Sequence, residues 1–106
     1  MNKTKLLIAS LFVVFGAASN ASDLGQRVYE KHCAGCHAAG PGHPGTMRLG
    51  ELRGADQAIL VNRRDLPATY IKAIVRTGLL EMPPLRPTEI PDADLDALAS
   101  YLTSKN

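Results

Sequence analysis

The 106-residue chain is predicted to fold as a small all-α domain. Apolar residues recur at helical spacing near the start, in the centre and near the end of the sequence, and no segment shows the alternation of a half-buried strand. Clusters of glycine and proline separate these segments, and no internal repeat is visible. The sequence therefore indicates one domain of helices joined by irregular connections.

The N-terminal segment, residues 1–21, is predicted to be a secretory signal peptide. Lys3 and Lys5 precede an apolar stretch over residues 6–18, which is shorter than the roughly twenty residues of a membrane-spanning helix. Ser19 and Ala21 are small residues at the two positions that a signal peptidase recognises, so we expect cleavage after Ala21. An uncleaved membrane anchor is the alternative, which the short stretch disfavours. We expect the mature protein in the periplasm.

The mature domain, residues 22–106, is small for a self-sufficient hydrophobic core. Its aromatic side chains are Tyr29, Tyr70 and Tyr101. The formal charge of the whole chain is +2, but loss of the two leader lysines leaves ten basic and ten acidic side chains. Acidic residues interrupt the basic ones, which is unlike a nucleic-acid footprint. We expect folding to depend on a bound cofactor.

The first helix is predicted to begin at Ser22 or Asp23, which can cap it. Leu24 and Val28 lie on one apolar stripe, and the helix continues towards residue 33. Gly25 weakens a helix, so we expect that close packing explains it.

The connection from Ala38 to Gly54 is rich in glycine and proline, and is predicted to be a loop. A short helix over Asp56 to Val61 follows. The next helix is predicted over Pro67 to Thr77, since proline suits a first helical position and Gly78 terminates the pattern. The last helix is predicted from three aspartates near its start and apolar residues at helical spacing: Asp92, Asp94, Asp96, Leu95, Leu98, Ala99 and Leu102.

Cys33, Cys36 and His37 form a C-x-x-C-H sequence, which is typical of covalent haem c attachment. In a helix these side chains share a face, so the two thiols can bind the haem vinyl groups while the imidazole ligates the iron. A redox-active dithiol would need a β-α-β pattern that the sequence lacks. A zinc site completed by His32 or His43 would crowd its ligands. One haem c is therefore predicted, with zinc and dithiol chemistry as weaker alternatives.

Met82 is predicted to be the second axial iron ligand. It follows a helix and directly precedes two prolines, which stiffen the segment and can hold a thioether in place. The other candidate ligands are less well placed, because Met47 and His43 follow the haem motif closely and His32 lies on the attachment helix. We expect His32 and His43 to be exposed.

Further patterns accompany the haem motif: Gly25-x-x-x-Tyr29-x-x-x-Cys33, Met82-Pro83 after a helix, and Leu98-x-x-Tyr101 in the last helix. With them, the mature chain resembles the small class I c-type cytochromes. The resemblance implies three to five helices around one covalent haem, with the first and last helices crossing where Gly25 allows close approach. It also implies that the aromatic pair packs beside this crossing.

The same resemblance implies that a loop proline accepts the proton of the proximal imidazole. Pro41 and Pro44 are the candidates, and the pattern Gly42-x-Pro44 favours Pro44. Such a bond would fix the orientation of the imidazole. Three basic residues are candidates for the haem propionates: Arg53, Arg63 and Arg64.

The segment from Asp65 to Gly78, followed by Met82-Pro83, is similar to the cytochrome subunits of flavocytochrome dehydrogenases of the 4-cresol type. That resemblance implies a one-electron carrier, not itself an enzyme. It would accept electrons from a flavin-dependent dehydrogenase of para-alkylphenols and pass them to a downstream acceptor. A general soluble respiratory cytochrome c is the alternative, and a ligand-binding or sensor haem protein with a labile Met82 is a weaker one.

Overall fold

The predicted all-α fold is confirmed. The computed structural model describes residues 9–14, 16 and 21–104, and these form five α-helices, two short 3₁₀ segments and one isolated β-bridge. In chain order the helices are α1 Ala21–His32, α2 Ala34–His37, α3 Pro44–Arg53, α4 Ala68–Thr77 and α5 Asp92–Thr103. The 3₁₀ segments, Ala55–Gln57 and Leu60–Asn62, lie between α3 and α4.

The predicted signal peptide lies largely outside the described residues. Of its described residues, 9–14 and 16 have no regular secondary structure, with Leu11 and Phe12 almost fully exposed, and Ala21 begins α1. Within the described ranges, no helix has the length and apolar character needed to cross a bilayer. The cleavage after Ala21 stays a prediction.

Helices α1 and α5 pack closely at Gly25, as expected from the sequence. A Cβ atom at this position would overlap the carbonyl oxygen of Ala97 and would lie 2.6 Å from the Cβ of Tyr101. The rings of Tyr29 and Tyr101 pack beside this contact, with centroids 5.9 Å apart and planes inclined at 48°. Glycine at position 25 therefore allows the two backbones to approach.

The hydrophobic core lies between α1, α4 and α5. Apolar residues at helical spacing on these helices form its centre: Val28, Ile71, Val75, Leu95, Leu98, Ala99 and Leu102. Two side chains are fully buried: Leu98, in α5, and Ile90, in the turn before α5. Cys33 belongs to the same cluster, so the core extends to the haem motif.

The loop predicted from Ala38 to Gly54 is only partly present, because its second half is helix α3. Pro44 occupies the first turn, where a missing N–H costs no hydrogen bond. The side chain of Thr46 is buried and donates to the carbonyl oxygen of Ala38 at 2.8 Å, which ties α3 to the end of α2. This tertiary contact outweighs the low helix propensity of two glycines inside α3.

The short helix predicted over Asp56 to Val61 is replaced by the two 3₁₀ segments, because Ile59 between them is extended. The two predicted C-terminal helices are confirmed: α4 starts one residue later than predicted and ends as predicted, and α5 begins at the predicted aspartates. Pro67 precedes α4 as its N-cap, and Gly78 ends the helix with a φ of 72°.

Candidate haem site

The C-x-x-C-H sequence forms one helical turn at the end of α1. The carbonyl oxygen of Cys33 accepts hydrogen bonds from the N–H groups of Cys36, at 3.1 Å, and His37, at 2.9 Å. Cys33 is buried in the core, whereas Cys36 is exposed. The turn therefore presents one thiol at the core and the other at the surface.

Burial affects the protonation of two groups in this motif. It raises the pKa of the Cys33 thiol to about 11, with a smaller contribution from the neighbouring Cys36. It lowers the pKa of the half-buried His37, which favours the neutral imidazole that binds metal ions.

The imidazole of His37 has an unusual environment. Its Nδ1 atom is buried and has no hydrogen-bond partner among the residues that the structure describes. The predicted bond from this nitrogen to the carbonyl oxygen of Pro44 is thus not formed here. Gly45, the residue after Pro44, instead lies directly beside the ring. Buried polar atoms are nearly always paired, so the protein atoms described do not by themselves account for the ring position.

The residues around His37 fit a haem whose iron would bind the Nε2 atom of the ring. The iron would then hold the ring on that side, and Nδ1 would remain available as a hydrogen-bond donor. A zinc site fits less well. Among the described residues, no three histidine, cysteine, aspartate or glutamate side chains converge as metal ligands.

The segment around Met82 forms a tight, closed turn. Leu79 and Met82 are joined by two backbone hydrogen bonds, of 3.0 and 2.9 Å. A Cβ atom at Gly78 would lie 2.6 Å from the carbonyl oxygen of Met82, so this glycine packs against the turn as well as ending α4. Leu80, at the tip, has a φ of 52°, an uncommon conformation for a bulky residue.

The turn is also fixed on its C-terminal side. The N–H group of Leu85 donates to the carbonyl oxygen of Val75 at 2.7 Å, which returns the chain to α4. The Met82 side chain is partly buried against the cluster that contains Cys33.

The other candidate ligands lie elsewhere. Met47 is 53% exposed on α3. His32 and His43 were expected to be exposed, but both are half-buried. The Nδ1 of His43 donates to the carbonyl oxygen of Gly35 at 3.0 Å, so this histidine ties the start of α3 to the haem motif.

Of the three arginines predicted near the haem propionates, Arg63 is buried and the other two are exposed. Its guanidinium donates to both carboxylate oxygens of Asp65, at 2.9 and 2.6 Å. This bidentate bond raises the pKa of Arg63 and lowers that of Asp65. Sequence reasoning missed the pair, although an acidic residue two positions after Arg63 was its signal.

Comparison with known proteins agrees with the site. The family model described as Cytochrome C oxidase, cbb3-type, subunit III, matches residues 20–102. The 4-cresol dehydrogenase (hydroxylating) cytochrome c subunit of Pseudomonas putida is 30% identical over 108 residues, covering 94% of this chain and 83% of that protein. No solved structure matches the chain.

These matches confirm both resemblances that the sequence indicated, to the c-type cytochromes and to a 4-cresol dehydrogenase cytochrome subunit. The chain is an electron-transfer domain whose cofactor is covalently bound haem c. It belongs to the cytochrome c family, within the group described as Cytochrome C oxidase, cbb3-type, subunit III.

Proposed function

We propose that this protein is a periplasmic one-electron carrier that accepts electrons from a flavin-dependent dehydrogenase of para-alkylphenols. Cys33 and Cys36 hold the haem covalently, and His37 and Met82 ligate its iron. The carrier passes each electron to a downstream acceptor and is not itself a catalyst.

The observation that carries the ligand assignment is the burial of Met82 against the cluster that contains Cys33. Met82 thus packs on the cluster to which the attachment motif also contributes, whereas the exposed Met47 is not part of that cluster. A His/Met pair is typical of cytochromes c that carry electrons.

The bound haem supplies a ferric/ferrous couple. The protein's part is to keep both axial side chains in place in both oxidation states. The closed turn from Leu79 to Met82 and the return of Leu85 to α4 supply this rigidity on the methionine side. A rigid turn supports an electron carrier better than a ligand-binding or sensor protein, which needs a labile Met82.

The donor is inferred from the relative. That protein's name describes the cytochrome c subunit of a 4-cresol dehydrogenase, and the match spans nearly all of this chain. The periplasmic location is supported by the predicted signal peptide, in which two lysines precede an apolar stretch. Leu11 and Phe12 in that stretch are exposed and do not pack on the core.

Three measurements on the secreted wild-type protein test this proposal. Mass spectrometry should find the chain beginning at Ser22 and carrying one haem. The oxidised spectrum should show the weak red band of sulfur-to-iron ligation. Stopped-flow mixing with a reduced para-alkylphenol dehydrogenase should give one electron per haem.

Each measurement addresses a different part of the proposal. A mature mass without haem would contradict attachment at Cys33 and Cys36. A high-spin spectrum that binds exogenous ligands would favour the sensor alternative. Reduction by unrelated dehydrogenases at the same rate would favour the general respiratory carrier.

A further inference from the structure

We propose that Gly45 is a positioning residue for the His37 imidazole. Because position 45 has no side chain, the first turn of α3 packs directly against one edge of the ring and sets where the ring stands. This inference rests on the proposed function, in which His37 is an iron ligand. It concerns a residue that does not touch the iron itself.

The contact is direct and close. A Cβ atom at position 45 would lie 2.7 Å from Cε1 and 2.8 Å from Nδ1 of His37, and 2.8 Å from the carbonyl oxygen of Cys36. All three distances are shorter than those that Cβ atoms make in folded proteins. Alanine at this position must therefore displace the imidazole, the Cys36 backbone or the first turn of α3.

The first turn of α3 cannot move away freely. The buried Thr46 donates to the carbonyl oxygen of Ala38, and His43 donates to the carbonyl oxygen of Gly35. These two bonds tie α3 to α2 on both sides of Gly45. The imidazole of His37 makes no hydrogen bond through Nδ1 among the described residues, so no such bond resists a turn of the ring about its proposed bond to iron. A side chain at 45 would therefore change the orientation of the ring.

Backbone conformation does not explain this glycine. The glycines with positive φ are Gly40, Gly42, Gly54 and Gly78, and Gly45 is not among them. Inside a helix, glycine is less favourable than alanine. The close contacts with the His37 ring and with the Cys36 carbonyl oxygen are what require glycine here.

Ring position matters because the hydrogen bond made by Nδ1 tunes an imidazole ligand. The edge of the ring that carries Nδ1 faces Gly45, and Pro44 is the adjacent residue. A ring displaced from this edge changes both its angle at the metal and the acceptor within reach of Nδ1. The reduction potential and the electron distribution over the haem report such a change.

The matched variants are Gly45→Ala and Gly50→Ala in the haem-bound protein. Both replace a glycine within α3, but a Cβ at Gly50 would meet only Ala58, at an ordinary 3.5 Å. We expect Gly45→Ala to shift the haem methyl resonances in the NMR spectrum of the ferric protein and to displace the reduction potential. Gly50→Ala should match the wild type in both.

Thr46→Val supplies a second comparison, because it removes the bond to Ala38 that holds α3 in place. In the double variant, Gly45→Ala with Thr46→Val, α3 can move away from the ring. The NMR shifts caused by Gly45→Ala should therefore be smaller in the double variant than in the single variant. If Gly45→Ala yields no haem-bound protein, recovery of haem-bound protein in the double variant supports the inference. Failure to recover it, with Thr46→Val itself normal, contradicts it.

Wild-type NMR separates this inference from the proposed function. If the wild-type spectrum shows no ring-shifted imidazole protons from His37, the ligand assignment fails. If it shows them and Gly45→Ala has wild-type shifts and potential, the positioning role of Gly45 alone is wrong.

Discussion

The guanidinium of Arg76 holds Leu85 against α4. Its Nη1 donates to the carbonyl oxygen of Leu85 at 3.1 Å, and its Nη2 donates to the carboxylate of Asp92 at 2.7 Å. One side chain thus connects α4, the segment after Met82 and the first turn of α5. The stability of the turn from Leu79 to Met82 is therefore coupled to the packing of α5.

Arg76→Ala should loosen the segment that carries Met82. Loss of the bond to the Leu85 carbonyl costs about 1 kcal/mol, and imidazole should then displace the thioether from ferric iron roughly fivefold more readily. Spectrophotometric titration with imidazole measures this. Lys72→Ala is the control, since Lys72 forms an exposed ion pair between α4 and α5, with Asp96, away from the turn. Equal affinities in the two variants would contradict the coupling.

Met82→Ala should lower the reduction potential, because in the proposed ligation it removes the thioether that favours ferrous iron. The weak red band should disappear, and the ferric protein should bind water or added ligands. Met47→Ala, at an exposed position, should retain the band and the potential. The opposite pattern would exchange the roles of the two methionines. Absorption spectroscopy with a redox titration measures both properties.

Leu80 is expected to contact the electron donor. Leu80 is 75% exposed, and its left-handed backbone conformation disfavours leucine by about 1 kcal/mol. Leu80→Asn should relieve this cost and leave the free energy of unfolding unchanged or higher. Both Leu80→Asn and Leu80→Lys should nevertheless slow reduction by the dehydrogenase, with an unchanged spectrum.

Leu52→Asn is the control for Leu80, because Leu52 is also exposed but lies on α3. We expect its reduction rate to equal that of the wild type. Stopped-flow rates at two salt concentrations decide the point. A strong salt dependence in the wild type, with normal rates in the Leu80 variants, would place docking at the arginine-rich centre of the sequence.

Gly25→Ala should destabilise the haem-bound protein by about 1–3 kcal/mol, because the added methyl group overlaps Ala97 and Tyr101. Chemical denaturation followed by circular dichroism measures the loss. Gly50→Ala has room for its methyl group and should be as stable as the wild type or slightly more so. A Gly25→Ala protein of wild-type stability would show that the helices can separate at no cost.

The sequence predicted those parts of the fold that local signals determine. Helices α4 and α5 have a proline or aspartates at the start and a regular apolar stripe, so their positions follow from residues within or next to each helix. The haem motif is likewise a local signal. Gly25 was interpretable because a glycine inside a helix needs a reason, and the contact with α5 supplies it.

Helix α3 was not predictable in this way. Its glycines indicated a loop, and the bonds that stabilise it come from Ala38 and Gly35, outside the helix. The contact of Gly45 with His37 has the same character, since it depends on how α3 packs on α2. The ion pair of Arg63 with Asp65 was visible as a spacing, but the burial of the Arg63 side chain depends on the surrounding chain.

The burial of Cys33 has a consequence for the order of events during maturation. Cys33 belongs to one core cluster with Leu98 and Leu102, so α5, far along the chain, must pack in place before the core is complete. Contacts between such distant segments are slow to form, because a long loop must be closed to make them. Chains truncated before α5 should accordingly react with a thiol reagent at Cys33 as fast as at Cys36. For the proposed attachment, haem must reach Cys33 while the protein is still open, so the covalent bond is made first and the fold closes around it.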